Sequence, residues 1–292
     1  MISFAARLLV LPCVLLTSIC VGQVANDAAP PSPRPDVIFV PTPARVVDLM
    51  LRMAKVKKDD VVYDLGCGDG RLVTLAAKNF GARGVGIEID PKLVAEARNF
   101  ATAAKVADRV EFRVGDLFKS DFRDATVVML YLQDHLNVRL RPLIFAQAKP
   151  GTRIVSHMFR MGDWQPTAEE SVALEGTNYE AFLWVVPANL SGRWKLHSRG
   201  SGSGMPLEFV IEQKFQRFTV RRIERAEIIG EGTISGNDFT VTIDAAEEKK
   251  RLTFTGTFDR TQLTASRSGT ARRWTANREP GTEQPLEPPP KN

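Results

Sequence analysis

The chain has 292 residues, of which 43% are hydrophobic and 25% charged; this composition is typical of a globular protein and excludes a fibrous or wholly disordered chain. The formal net charge is +5, and residues 188–278 carry the excess, with 16 Lys and Arg against 10 Asp and Glu. A surplus of this size without a recognition motif is typical of a solvated surface, so we expect no nucleic-acid partner.

Residues 1–25 predict a secretory signal peptide. Arg7 precedes an apolar run from Leu8 to Val21 that is too short to span a bilayer comfortably. Cleavage after Gly22 or Ala25 would suit the preference for small residues at such sites. We therefore expect an exported protein of the cell envelope, periplasmic or membrane-anchored through this segment. A cytosol-facing association with the membrane is the alternative.

Hydrophobic periodicity is lacking at both ends of the remaining chain. Residues 26–35 (NDAAPPSPRP) predict a disordered linker, and residues 279–292 (EPGTEQPLEPPPKN) predict a disordered tail. Cys67 is the only cysteine after the leader, so no internal disulfide can form.

Residues 36–187 alternate short apolar strands with amphipathic helices. The predicted strands are VVYDL, GVGIEI, VEFRVGD, ATVVMLYL and TRIVSHMF. This alternation predicts a doubly wound, Rossmann-like α/β domain with a parallel sheet covered on both faces. Thr42 is a candidate N-cap of the first helix, before Pro43, and Asp90 is a candidate N-cap before Pro91.

Residues 188–278 show a different rhythm, with strand-like segments separated by Gly, Ser, Asn and Asp turns. These segments predict a small antiparallel β domain, a lipocalin-like meander or barrel. The sheet is expected to be closed or half closed, because its edges need closure or a partner to protect them from pairing with other chains.

A glycine-rich turn, YDLGCGDGR, follows the first predicted strand. Its spacing is D-x-G-x-G-x-G, with Asp64 before Gly66, Gly68 and Gly70. A dinucleotide-binding turn needs a third glycine where this chain has Arg71. A carboxylate ahead of the glycines would repel a pyrophosphate but can accept hydrogen bonds from an ammonium group, so the turn favours a cationic ligand.

These residues resemble the cofactor loop of class I, or seven-strand, methyltransferases, and the next strand ends agree. The resemblance implies S-adenosyl-L-methionine as cofactor, with Glu88 on its ribose hydroxyls, Asp116 near its adenine amino group and Leu117 packing beside it. The expected cofactor-binding residues are Asp64, Gly66, Cys67, Gly68, Gly70, Glu88, Asp116 and Leu117.

A closer resemblance rests on VPTPARVVDLML, YDLGCGDGRLV, TRIVSHMF and GDWQP. These segments are similar to the branch that includes mitochondrial protein-lysine methyltransferases of the ATP synthase c subunit and the adenine nucleotide translocase. This resemblance implies lysine N-methylation by direct in-line transfer. Two alternatives remain: a small-molecule O- or N-methyltransferase, and a non-catalytic envelope binding or scaffold protein that retains the methyltransferase fold.

The methyl acceptor, a protein or a small molecule, should bind at the loops after the fourth and fifth strands. Tyr131, Asp134 and His157 are the candidate catalytic residues. Asp134 and His157 could deprotonate or hold a lysine amine, and Tyr131 could line the methyl channel. Their structural alternatives are a helix cap for Asp134, core packing for Tyr131 and a buried structural role for His157. No His or Cys cluster has the spacing of metal ligands, so we expect no metal. The sequence leaves the oligomeric state open.

Overall fold

A computed structural model describes residues 35–197, 208–245, 250–270 and 273–287. The predicted leader and all but the last residue of the predicted linker lie outside the described residues. Within those ranges, no helix is both long enough and apolar enough to cross a bilayer.

In the described chain, a seven-stranded mixed sheet and its helices form the first domain. The helices are α1 (Ala44–Met53), α2 (Arg71–Phe80), α3 (Pro91–Ala103) and α4 (Asp134–Gln147). The strands are β1 (Val61–Leu65), β2 (Arg83–Glu88), β3 (Val110–Val114), β4 (Val127–Leu130), β5 (Arg153–His157), β6 (Ala168–Leu174) and β7 (Thr177–Val185). Their order is β3-β2-β1-β4-β5-β7-β6. Strands β1 to β5 are parallel, whereas β7 runs antiparallel to both of its neighbours.

Both faces of this sheet are covered, and β1 and β4 are buried at every residue. One core combines side chains of α1, α2 and α3 with the sheet, and a second core holds the apolar side chains of α4. The predicted doubly wound α/β fold is confirmed. Parallel strands read as continuous apolar runs because helices exclude water from both of their faces.

The hairpin of β6 and β7 was not predicted. Its turn is Glu175-Gly176, and both residues have positive φ, at 50° and 81°. Two successive positive φ angles are typical of the tight turns that join antiparallel strands. The Glu-Gly pair was the available signal, but the exposed, acidic β6 lacks the apolar character of a buried strand.

The second domain is a closed antiparallel barrel. Its strands are β8 (Gly192–His197), β9 (Glu208–Lys214), β10 (Arg217–Arg222), β11 (Ile228–Ser235), β12 (Asp238–Ala245), β13 (Lys250–Asp259), β14 (Gln262–Arg267) and β15 (Arg273–Arg278). Their order is β10-β11-β12-β13-β14-β15-β8-β9, and β9 pairs with β10 to complete the ring. The predicted antiparallel barrel is confirmed.

Apolar side chains fill the barrel interior, because alternate residues of each strand point inward. The remaining space is a cavity of about 50 Å³ among side chains such as Phe209, Phe254 and Trp274. That volume is small beside the 300–1,000 Å³ or so of typical ligand pockets, so the interior is a packed core.

The turn between β9 and β10 inserts Phe215 into the second core of the first domain. Its ring lies 6.0 Å from that of Trp164 and 5.8 Å from that of Phe145, measured between centroids. Trp164 also donates from Nε1 to Oε1 of Gln216 (2.7 Å), and Lys214 pairs with Asp163 (2.8 Å). The barrel is therefore packed against the loop that follows β5.

The C-terminal segment differs from the predicted disordered tail. Residues 279–287 lie against both domains, and residues 288–292 are outside the described chain. Glu287 accepts from Nε of the buried Arg141 on α4 (2.7 Å), and the backbone of Gln284 bonds the Ser191 hydroxyl (2.8 Å). The expectation was wrong for these residues because it weighed only Pro content and periodicity. A single carboxylate that neutralises a buried guanidinium has no periodic signature.

Candidate functional site

A cavity of about 190 Å³ opens at the carboxyl ends of the parallel strands. Its floor comes from the loops after β1, β2, β3 and β4, and the segment Pro35–Thr42 borders it on another side. Ligands of open α/β sheets bind at this edge, where the ends of neighbouring strands bring loops together. Of the predicted residues, the cavity brings together Asp64, Gly66, Cys67, Glu88, Asp116, Leu117 and Tyr131.

The glycine loop is bent by three residues with positive φ: Gly66 (90°), Gly68 (52°) and Gly70 (72°). The amides of Gly66 and Cys67 both donate to the carbonyl of Ile87 on β2, at 2.8 and 2.9 Å. Gly68 and Gly70 do not line the cavity; Gly68 lies beneath Phe39, which does, and Gly70 packs against Phe112. A Cβ on Gly68 would lie 2.1 Å from the Phe39 ring, and one on Gly70 would lie 2.4 Å from the Phe112 ring.

Asp64 is 2% exposed and lines the cavity, and no hydrogen bond reaches its carboxylate from the described part of the chain. Burial raises the pKa of Asp64 well above its usual range, and the nearby charges of Glu88 and Asp69 raise it further. Burying a carboxylate without a partner is costly. A ligand cation in this cavity would supply the missing partner.

Glu88, at the end of β2, supports the glycine loop. Its Oε2 accepts from the Gly68 amide (2.9 Å), and its Oε1 accepts from the amides of Ile89 (2.8 Å) and Asp90 (3.0 Å). A carboxylate offers about four lone-pair positions, so roughly one is left for a ligand. Glu88 thus has a structural function, and its remaining position leaves room for one hydroxyl and not for the expected two.

Asp116 follows β3 and accepts from the Phe118 amide (2.9 Å), which starts a short 3-10 turn over Leu117–Lys119. Leu117 joins it in the cavity wall. Cys67 is buried and in contact with the β2 backbone, since a Cβ on Gly86 would lie 2.6 Å from its sulfur. Burial, with the charges of Asp64 and Glu88, raises the pKa of this thiol well above its usual range, so it stays protonated.

Tyr131, after β4, is half-buried and lines the cavity. Its ring lies 4.0 Å from the ring of His157, at the end of β5, and 6.0 Å from that of Phe159. Tyr179 on β7 completes this cluster at 5.7 Å from His157. Burial, and then Tyr179, raise the pKa of Tyr131, so its phenol is neutral at physiological pH. The cavity therefore has an acidic floor and a neutral aromatic wall.

His157 is completely buried, so it lies behind Tyr131 and does not line the cavity. Its Nδ1 shares a hydrogen bond with the Thr42 hydroxyl (3.3 Å), and its Nε2 has no partner among the described residues. Burial lowers the pKa of His157 to about 4, so the ring is neutral at physiological pH.

Comparison with known proteins adds to this geometry. Residues 64–168 match the sequence model of the ANTKMT methyltransferase domain. The chain is 41% identical over 153 residues to a protein-lysine N-methyltransferase of Saccharolobus islandicus, covering 52% of this chain and 95% of that protein. It is 33% identical over 180 residues to the adenine nucleotide translocase lysine N-methyltransferase of Mus musculus, covering 61% and 73%. The chain belongs to the ANTKMT methyltransferase family.

This methyltransferase uses S-adenosyl-L-methionine. Among solved structures, it is similar to an RNA methyltransferase from Salinibacter ruber in complex with S-adenosyl-L-homocysteine, at 56% identity and a TM-score of 0.47. That match covers 50% of this chain and 93% of the other. The matched family domain ends at residue 168, so β7 and the barrel follow it.

The residues of the cavity fit this cofactor. The unpartnered carboxylate of Asp64 suits a ligand that carries an ammonium and a sulfonium. Asp116 and the remaining position on Glu88 supply acceptors for an amino group and a hydroxyl, beside the apolar Leu117 and Leu132. The described residues include no group of three or more His, Cys, Asp or Glu that could hold a metal.

Asp134 is placed away from the methyltransferase cavity. It is the first residue of α4, is exposed, and accepts from the Arg160 amide (2.6 Å). The side chain therefore links the loops after β4 and β5. The N-cap position of α4 belongs to Gln133.

The sequence analysis missed the segment Pro35–Thr42 as a wall of the cavity. Thr42 is not the predicted N-cap of α1, a position that Pro43 occupies, because its hydroxyl bonds His157 instead. The signal was the Pro-rich entry itself, which disfavours helix and strand and leaves the backbone free to run across another element. The predicted cap at Asp90 is confirmed, since its carboxylate accepts from the Lys92 amide.

Proposed function

We propose that this methyltransferase modifies lysine side chains of protein. The observation that carries the proposal is the aromatic cluster at the cofactor cavity, in which Tyr131 lines the cavity, His157 packs against Tyr131 and Tyr179 packs against His157. Aromatic faces attract ammonium groups, and a neutral His157 adds no repulsive charge. The names of the Saccharolobus islandicus and Mus musculus relatives support the same acceptor.

The cofactor supplies a methyl group that is already activated by its attachment to a sulfonium. We assign Asp64 to the ammonium of its methionine moiety, Glu88 to a ribose hydroxyl and Asp116 to the adenine amino group. Leu117 packs against the base. The task that remains for the protein is to align donor and acceptor and to exclude water.

The lysine must first lose one proton, which passes to solvent water, to become a free amine. Bound cofactor would supply its methyl carbon to the electron pair of this nitrogen, and the electrons of the carbon–sulfur bond would leave with the sulfur as a neutral thioether. Tyr131 is the group assigned to contact the amine. His157 is buried behind it and acts on Tyr131, and Asp134 acts on the loop backbone, so neither is assigned as the base.

The test is to incubate the purified full chain with cofactor carrying an isotopically labelled methyl group and a cell extract. We expect label on lysine residues of a small set of proteins, located by tandem mass spectrometry. Tyr131→Ala should abolish labelling and bind S-adenosyl-L-homocysteine normally, whereas Asp64→Asn should weaken both. Label confined to small molecules, or to the fraction that nuclease digests, would refute a lysine acceptor.

We further propose that the N-terminal leader takes the enzyme to the cell envelope. The support is the cation followed by the apolar run from Leu8 to Val21. Because the cofactor is made in the cytosol, the catalytic domain has access to it only if the domain lies on the cytosolic face of the membrane. Cell fractionation with N-terminal sequencing should find the chain in the envelope fraction; a full-length chain free in the cytosol would contradict this.

A further inference from the structure

The segment Pro35–Thr42 is held most firmly at Thr42, which is 4% exposed. The carbonyl of Thr42 accepts from Nη1 of Arg71 (2.8 Å), and Arg71 is itself held by Asp69 of the glycine loop, whose Oδ1 lies 2.9 Å from its Nε. The hydroxyl of Thr42 bonds Nδ1 of His157 (3.3 Å). One residue therefore joins the cofactor loop to the aromatic wall.

The other end of the segment is held more weakly. Asp36 pairs with Arg139 at 3.6 Å, and both side chains are 57% exposed, a geometry that contributes little. Three successive apolar side chains, Ile38, Phe39 and Val40, remain exposed. Phe39 nevertheless covers Gly68, since a Cβ on Gly68 would lie 2.1 Å from the Phe39 ring. The segment is thus a cover that touches the glycine loop and is fixed at its Thr42 end.

The orientation of His157 depends on the same bond. Its Nδ1 has Thr42 as its partner, while its Nε2 has none among the described residues. The tilted ring contacts with Tyr131 and Tyr179, at interplanar angles of 36° and 34°, locate the ring but give neither ring nitrogen a partner. Loss of the Thr42 hydroxyl would leave two buried ring nitrogens without partners, and the ring would be expected to shift.

We propose that Thr42 is a positioning residue. It couples the cover of the cofactor cavity to the aromatic wall, acting through His157 on Tyr131. Cofactor that orders the cover also fixes the aromatic wall and so raises the affinity for the acceptor. By reciprocity, a bound acceptor raises the affinity for the cofactor by the same factor. The assignment of Tyr131 to the acceptor rests on the proposed function; the coupling between cover and wall does not.

The experiment compares Thr42→Val, which keeps the side-chain shape and removes the hydroxyl, with Thr42→Ser, which keeps the hydroxyl. The first readout is hydrogen exchange of the full chain with and without saturating S-adenosyl-L-homocysteine. In wild type we expect added protection at residues 35–42 and at residues 157–160. Thr42→Val should lose the protection at 157–160, and Thr42→Ser should restore it.

The second readout is turnover with poly-L-lysine as the probe acceptor. One hydrogen bond is worth up to about tenfold, so Thr42→Val should lower kcat/KM for the acceptor about three- to tenfold and change the cofactor Kd less than about twofold. If poly-L-lysine is not methylated at all, the proposed acceptor is contradicted, while the exchange measurement still decides the coupling.

Three results would overturn the coupling. Wild type could gain protection at residues 35–42 alone. Thr42→Ser could behave like Thr42→Val, which would make the effect one of packing. Thr42→Val could instead lose cofactor affinity in proportion to its loss of turnover, which would confine Thr42 to the cofactor site. The wild-type exchange decides the matter even if a variant fails to fold.

Discussion

The buried His157 should make the stability of this methyltransferase depend on pH between about 4 and 6.5. Its folded pKa is about 4, against about 6.5 for an exposed histidine. In that window the unfolded chain binds a proton that the folded chain does not. The free energy of unfolding therefore rises with pH through this window. The contribution of His157 is fully present above about pH 6.5 and is lost as pH falls toward 4.

The magnitude follows from the difference of roughly 2.5 pKa units. At about 1.36 kcal/mol per unit, the loss is at most about 3 kcal/mol, with a slope that cannot exceed about 1.4 kcal/mol per pH unit for one proton. His135 and His197 are exposed, so His157 is the buried histidine of the described chain. A loss of this size is a large part of the 5–15 kcal/mol or so by which a domain is stable.

The assay is urea unfolding at a series of pH values for wild type and His157→Gln. Carboxylates also titrate near pH 4, so the informative quantity is the difference between the two proteins, because both share those groups. We expect the difference in unfolding free energy to narrow by about 3 kcal/mol from pH 7 to pH 4. A constant difference across that range would refute the inference that the ring is buried in its neutral form.

Three further predictions concern the cofactor site and the contact between domains. Asp64→Asn should weaken S-adenosyl-L-methionine binding about 10- to 100-fold, and calorimetry should show that it removes the fall in affinity at low pH expected from the raised pKa of Asp64; binding within threefold of wild type would contradict the assignment. Phe215→Ala should cost about 3–5 kcal/mol in urea unfolding, because the ring fills the core of the other domain; a cost below 1 kcal/mol would show that the domains do not share that core. Arg141→Met should lower the free energy of unfolding by about 3–5 kcal/mol, because it leaves the Glu287 carboxylate without its partner. Glu287→Gln should lower it less, because Arg141 keeps its bonds to Asp163 and to the Met161 carbonyl. Equal losses for the two variants would contradict this reasoning.

The cofactor side of the site could be predicted from the sequence to a large extent. Asp64 lies near the end of β1, Glu88 is the last residue of β2 and Asp116 follows β3, and parallel strands carry their ends to one edge of the sheet. The prediction was less complete for Gly68 and Gly70, which do not line the cavity, and for Glu88, which also supports the loop. Those differences depend on which atoms pack together and not on where the strands end.

The acceptor side was harder to predict. Tyr131 and His157 were named, but their order from the cavity inward depends on burial, which the sequence does not give for single residues. Asp134 follows β4 like a site residue, yet it bonds the Arg160 amide. A polar side chain near a strand end has several backbone groups within reach, and only the path of the next loop selects among them.

Short-range chemistry in the sequence predicted the two kinds of fold and a cationic ligand, because strand and helix periods, turn residues and the spacing of the glycine loop are local properties. The family and the cofactor came from the resemblance that these motifs carry. Tertiary structure alone decided the contacts that join these parts. The Thr42 hydroxyl meets His157 across 115 residues, Trp164 meets Gln216 across 52, and Arg141 meets Glu287 across 146. Each is a polar contact between elements distant in sequence, and a contact without a period leaves no pattern from which its partner can be deduced.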